Sequence, residues 1–300
     1  MAEQPVGGWV DGSGVRLHYR EWVGPAAPVE PPLLLLHGLA SASRIWDLVA
    51  PRLAARRRVV ALDQRGHGLS DKPDDGYDFA TIVADDAAAL RALGLARPVV
   101  VGHSWGASVA VALAAAHPAQ VAGVVLVDGG VTSFRDQPDW TWERVARELA
   151  PPDYAGTPRG RFIAGLRAGG FADFWQPALE EIILNIVELR PDGTVGPRLA
   201  RANHLRILRA MWDEPVTDRL AALRCPVLAV LAEGPAGNAR AAAWLEGKRR
   251  GAARLTERLP GATVRWLADT VHDVPLHRPA ELAAMIEAFA AARAAGATGS

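Results

Sequence analysis

One pentapeptide in this 300-residue chain has the residue types and spacing of nucleophilic catalysis: Gly102-His103-Ser104-Trp105-Gly106. A serine hydroxyl attacks a carbonyl once a neighbouring imidazole takes its proton, and the oxyanion that forms needs two N–H donors. Residues 99–101 are a β-branched run that reads as a buried strand. Residues 107–116 are a small, mostly apolar run that reads as a helix ending before Pro118. No residue is spare for a loop between them. The turn must be sharp and its centre strained, and glycine on either side lets strand and helix approach without a Cβ clash. The helix N-terminus that follows offers free N–H groups to a developing oxyanion.

Other elements must bring a base and an acid to that turn. Residues 8–10 and 15–22, around Asp11-Gly12-Ser13-Gly14, predict a β-hairpin. Continuous apolar runs at 33–36, 59–62 and 121–127 read as strands covered on both faces. Helices are expected at 44–54 and 79–93, the second stopping at Gly94. A strand at 226–232, a long helix at 239–259, a strand at 264–267 and a helix at 280–293 follow, with a frayed tail from 294. This alternation predicts an α/β fold: a mostly parallel sheet with helices on both faces. Between 129 and 223 the pattern breaks into short pieces such as 142–149 and 179–188, rich in Trp and Phe, and reads as an all-helical insertion. The expected division is a core of residues 1–128 and 224–300 with a cap of residues 129–223.

Composition excludes several classes. Basic and acidic residues balance at 33 each, so net charge points to no nucleic-acid partner. Cys225 stands alone, which rules out an intramolecular disulfide. Residues 1–8 lack a basic segment followed by an apolar one, and no apolar run approaches ~20 residues, so neither a secretory signal nor a membrane span is expected. A cytoplasmic protein, monomeric or dimeric, is the expectation. No His-Glu-x-x-His or Cys-x-x-Cys occurs, so no metal or other cofactor is expected. Lys248-Arg249-Arg250, holding one of only two lysines, reads as a solvated face of its helix.

Three motifs in order resemble the α/β-hydrolase superfamily, in its cap-bearing branch of esterases, lactonases, C–C hydrolases and haloperoxidase-like enzymes. They are His37-Gly38 after one strand, Asp63-Gln64-Arg65-Gly66-His67-Gly68-Leu69-Ser70 after the next, and the Ser104 turn. A fourth, Val271-His272-Asp273-Val274-Pro275 after the last strand, is similar to the family's catalytic histidine loop. The resemblance implies an α/β-hydrolase fold with the cap inserted after the sixth strand. A serine at the turn disfavours the family's dehalogenases and epoxide hydrolases, which use a carboxylate nucleophile.

Eight histidines compete for the base. His272 follows the last strand, at the carboxyl edge where Ser104 sits, and is preferred over its nearest rival, His277. The resemblance gives His37 and His67 scaffolding roles, and His103 should point away from Ser104. The oxyanion donors are expected to be the backbone N–H of Trp105 and, by resemblance, that of Leu39. The indole of Trp105 is either a pocket wall or helix packing.

In most relatives the triad acid is an Asp in the loop after the strand at 226–232. Here that loop holds only Glu233. Asp128, at the end of the strand after the nucleophile's helix, matches a minority of the family and is the expected acid, with Glu233 the alternative. Asp269 and Asp273 lie too close in sequence to His272 to orient its ring well. Trp140, Phe174, Trp175 and Trp212 are the expected pocket aromatics, the others packing inside the cap. The expected activity is hydrolysis of small or medium apolar esters or lactones through an acyl-enzyme. C–C bond hydrolysis, perhydrolysis of the cofactor-free haloperoxidase type, and a ligand receptor on a hydrolase scaffold are the alternatives.

Overall fold

Runs of apolar residues too short for helices and free of charge become the middle of a sheet. In the computed structural model, which describes residues 4–235 and 239–297, β1 (Val6–Asp11) and β2 (Arg16–Trp22) form the N-terminal hairpin, Val10 facing Leu17. β3 (Leu33–Leu36), β4 (Val59–Leu62), β5 (Val99–His103) and β6 (Gly123–Val127) are buried at every residue. Between them run α1 (Ala50–Ala54), α2 (Phe79–Ala92) and α3 (Trp105–Ala116). Asp78 caps α2 by accepting the Thr81 N–H. The single helix expected at 44–54 is instead a 3₁₀ turn, Ser43–Trp46, followed by α1. Pro51 explains the break: it has no N–H to give and is tolerated only in a helix's first turn.

Residues 129–223 hold α4 (Trp142–Glu148), β7 (Thr157–Pro158), α5 (Arg159–Ala168), α6 (Pro177–Leu184), β8 (Val187–Leu189), β9 (Thr194–Pro197) and α7 (Arg201–Asp213). The segment is therefore not all-helical: its three strands form a small antiparallel sheet in the order β7-β9-β8. The expected helix at 179–188 stops at Leu184 because the chain turns back at Asp192-Gly193, Gly193 taking φ +80° and Asp192 accepting the Thr194 N–H.

Then come β10 (Val227–Ala232), α8 (Ala239–Arg258), β11 (Thr263–Leu267), α9 (Val274–His277) and α10 (Pro279–Ala297). α10 runs past the expected end at 293, and the rest of the expected tail, 298–300, lies outside the described residues. The eight-stranded sheet has the order β1-β2-β4-β3-β5-β6-β10-β11, parallel from β4 onward, β1 and β2 antiparallel. Alternate side chains feed two cores. Leu34, Leu36, Val100 and Leu126 pack under α2, α3 and α8, and Leu33, Leu35, Val99 and Val125 pack under α1 and α10. Because these strands are parallel, the segments that follow β3, β4, β5, β6, β10 and β11 all leave from one edge.

Candidate active site

That edge gathers the reactive residues. Ser104 sits at φ 55°, ψ −118°, between β5 and α3. A Cβ on Gly102 would lie 2.2 Å from the Gly106 carbonyl oxygen, and one on Gly106 would lie 2.5 Å from those of Leu36 and His37. Only glycine fits at either position, so the pentapeptide holds the strained serine in place.

His272 Nε2 lies 2.9 Å from Ser104 Oγ, and His272 Nδ1 lies 2.6 Å from Asp128 Oδ2. Asp128 is fully buried at the end of β6, its Oδ1 accepting the Ala232 N–H at 2.9 Å. Burial pushes the Asp128 carboxyl up, but the hydrogen bond and charge of His272 and the ammonium of Lys248 outweigh it and hold it below the usual carboxylate range. Desolvation pulls the His272 imidazolium down, and the Asp128 carboxylate more than offsets that, so the ring is more basic than an ordinary histidine. The side chain of His272 is 54% exposed, and it lines the cavity over Ser104. His272 Nδ1 bonds Asp128 and not Glu233; Glu233 stands on the wall of the same cavity, and no bond joins it to His272.

Leu39 and Trp105 both border the cavity beside Ser104. Trp105 N–H opens α3 and has no intrahelical acceptor, and among the described residues Leu39 N–H finds none either. The loop carrying Leu39 is braced by two neutral imidazoles. His37 Nε2 accepts the Gln64 N–H at 3.0 Å while its Nδ1–H donates to the Gly38 carbonyl; His67 Nε2 accepts the Ala40 N–H at 3.2 Å while its Nδ1–H donates to that of Arg65. Burial depresses both pKa values, so both rings stay acceptors. The Trp105 indole packs in the core and stacks on His67 at 5.2 Å, and the residue borders the cavity. His103 makes no bond to Ser104; its Nε2–H donates to the His272 carbonyl at 2.9 Å.

The cavity has a volume of about 500 Å³ and is mainly apolar. Phe79, Phe134, Leu208, Met211, Val216 and Trp244 form much of its wall. None of the four aromatics expected there lines it. Trp140 sits one layer back, stacked on Phe134 and edge-on to Trp244. Phe174 stacks on His277 at 4.6 Å, Trp175 packs on the α1–α10 core with Arg167 over its ring, and Trp212 lies under Arg135. Aromatic character alone marked these residues as buried but not as facing this cavity.

Lys248 was missed. Its Nζ lies 2.7 Å from Asp128 Oδ1, 2.8 Å from Oδ2 and 2.7 Å from the Ala232 carbonyl oxygen, so it does not stand on a solvated face. The signal lay in α8 itself. Trp244, Lys248, Ala252 and Leu255 recur at helical spacing on its inward stripe, and a lysine there must find a buried anion.

Comparison with known proteins bears on the family and the fold. Residues 31–178 match the model of the alpha/beta hydrolase fold family. The chain is 31% identical over 281 residues to lipase LipV of Mycobacterium tuberculosis, covering 91% of this chain and 97% of that protein. A shorter match, 42% identical over 98 residues, joins it to 2-(acetamidomethylene)succinate hydrolase of Mesorhizobium japonicum, over 33% of this chain and only 35% of that one. Among solved structures, E-2-(acetamidomethylene)succinate hydrolase superposes with a TM-score of 0.76 at 24% identity, covering 95% of this chain and 98% of the other. The chain belongs to the α/β-hydrolase family. It shares a fold and whole-length similarity with hydrolases, and no helix among its described residues is long and apolar enough to cross a membrane.

Proposed function

We propose that this protein is a serine hydrolase of uncharged, apolar carboxylic esters or lactones, working through an acyl-enzyme. The observation that carries the reading is the chain Asp128–His272–Ser104, with gaps of 2.6 and 2.9 Å, at the floor of an apolar cavity. Ser104 Oγ attacks the carbonyl carbon as its proton passes to His272 Nε2. Asp128 keeps the proton of His272 on Nδ1 and stabilises the imidazolium. The N–H groups of Leu39 and Trp105 receive the oxyanion. Collapse of the tetrahedral intermediate transfers the Nε2 proton to the departing alkoxide, which in a lactone stays tethered to the acyl chain. Water, deprotonated by the same imidazole, then releases the acid.

Residues 129–223 act as the cap, since Phe134, Leu208, Met211 and Val216 supply one wall of the cavity. An uncharged substrate is favoured because the lysine that lines the cavity, Lys248 of α8, is already engaged by Asp128. A fluorophosphonate probe tests the reading: its mass should appear on Ser104, and Ser104→Ala should abolish hydrolysis of p-nitrophenyl esters of every chain length while the protein stays folded. Labelling at another residue, or an active alanine variant, overturns it. Turnover of diketones in place of esters and lactones would move the same residues to C–C cleavage.

A further inference from the structure

One side chain that the proposed chemistry does not use nevertheless touches its centre. Lys248 reaches from the middle of α8 to within 2.8 Å of both oxygens of Asp128. A triad acid needs one hydrogen bond to its histidine and an ordered environment for its second oxygen. Here the second oxygen already has the Ala232 N–H at 2.9 Å, so the ammonium is additional. It is also a cation beside the carboxylate that stabilises a cationic imidazolium.

We infer that Lys248 is a positioning residue of the triad: it clamps Asp128 onto the end of β10 and keeps His272 neutral, hence able to act as a base, at lower pH than Asp128 alone would allow. The inference rests on the serine-hydrolase reading of Ser104, His272 and Asp128. The clamp is geometric. One Nζ ties Asp128, at the end of β6, to the Ala232 carbonyl at the end of β10, so the carboxylate cannot turn away from His272 without breaking two charge-assisted bonds.

The pH effect follows from the charges around the ring. Asp128 faces Nδ1 from β6 and raises the basicity of His272; Asp273, in the ring's own loop, does the same. Lys248, from α8, opposes them. His103, from β5, has its ring 4.9 Å away and bonds the His272 carbonyl; its own pKa is pushed down to about 4 by burial and by His272, so it is neutral in the working range. Glu233, after β10, and Glu214, after α7, share the cavity wall as further carboxylates. With two carboxylates promoting the imidazolium, the ammonium of Lys248 is the charge placed to restrain it.

The test is the pH dependence of Ser104 phosphonylation by a fluorophosphonate, a reaction that needs neutral His272 and no knowledge of the natural substrate. Lys248→Met removes the charge and keeps the stem. The acid limb of the rate profile should move up by roughly one pH unit, and the plateau rate should fall about tenfold as Asp128 loses its clamp. Lys248→Arg should hold the limb within a few tenths of a unit of the parent. Should the Met variant not fold, Lys248→Gln, which keeps a donor to Asp128 without charge, carries the same reading of the limb. A folded, uncharged variant with an unmoved limb overturns the inference and leaves Lys248 a packing contact. Failure of the underlying reading is told apart by Ser104→Ala. If that variant is still labelled, the triad is wrong; if it is inert while the Met limb stays put, only the role of Lys248 is wrong.

Discussion

His272 Nδ1 and Asp128 Oδ2, 144 residues apart in the chain, lie 2.6 Å from each other, and Glu233 holds no bond to that imidazole. The carboxylate is buried, whereas Glu233 stands at the end of β10 on the cavity wall. Asp128→Asn should therefore lower kcat/KM for p-nitrophenyl butyrate by several orders of magnitude, because an amide cannot stabilise the imidazolium and favours the wrong tautomer. Glu233→Gln should cost less than tenfold. With both variants shown to be folded by circular dichroism, the opposite ranking would move the acid to Glu233.

The acid limb of activity has a sign that follows from the same pair. Asp128 makes His272 more basic than an ordinary histidine. Since the base must be neutral, kcat/KM for a non-ionising ester should climb as pH rises through a value above 6.5, the usual one for the side chain. A limb below that value would mean that Asp128 does not bond the ring in solution.

Cavity specificity should follow the residues that line it and not those behind. Leu208→Trp or Met211→Trp, on the cavity-facing side of α7, should shift the preferred acyl chain to shorter esters, by tenfold or more in the ratio of kcat/KM for long and short chains. Trp212→Ala and Trp175→Ala should leave that ratio within about twofold. Each profile is read with p-nitrophenyl acetate through decanoate, and a large shift in either alanine variant would place its indole in the substrate's path.

Legibility from sequence divides along physical lines. β3, β4 and the start of β5 were readable because strands buried on both faces are runs of Leu, Val and Ala, and the glycines around Ser104 mark a turn that no other residue fits. Asp128 was legible only through the family resemblance, since it and Glu233 both lie at strand ends on the same edge and the usual Asp is missing from the later loop. The hairpin of β8 and β9 was hidden by strands of only three and four residues, although its Asp192-Gly193 turn carries the same signal as the N-terminal hairpin. Lys248 was hidden by charge. A basic run reads as solvated until the partner of one member is known, and that partner lies 120 residues away.

One further buried acid sets a stability prediction independent of catalysis. Asp86, on α2, is 1% exposed, and among the described residues its Oδ2 has no hydrogen-bond partner. Burial, together with the charge of the neighbouring Asp85, pushes its carboxyl well above the usual range. The folded state therefore keeps a proton that the unfolded chain releases near its ordinary value of 3.8. Between that pH and the raised native value the folded state binds more protons, so this residue's contribution falls as pH rises and is fully present only below the unfolded value. Asp86→Asn has no proton to lose. Its melting temperature should match that of the parent near pH 4 and exceed it by a few degrees near pH 8. Scanning calorimetry across that range checks it, and a gap that stays constant or closes as pH rises would show that Asp86 is ionised in the folded protein.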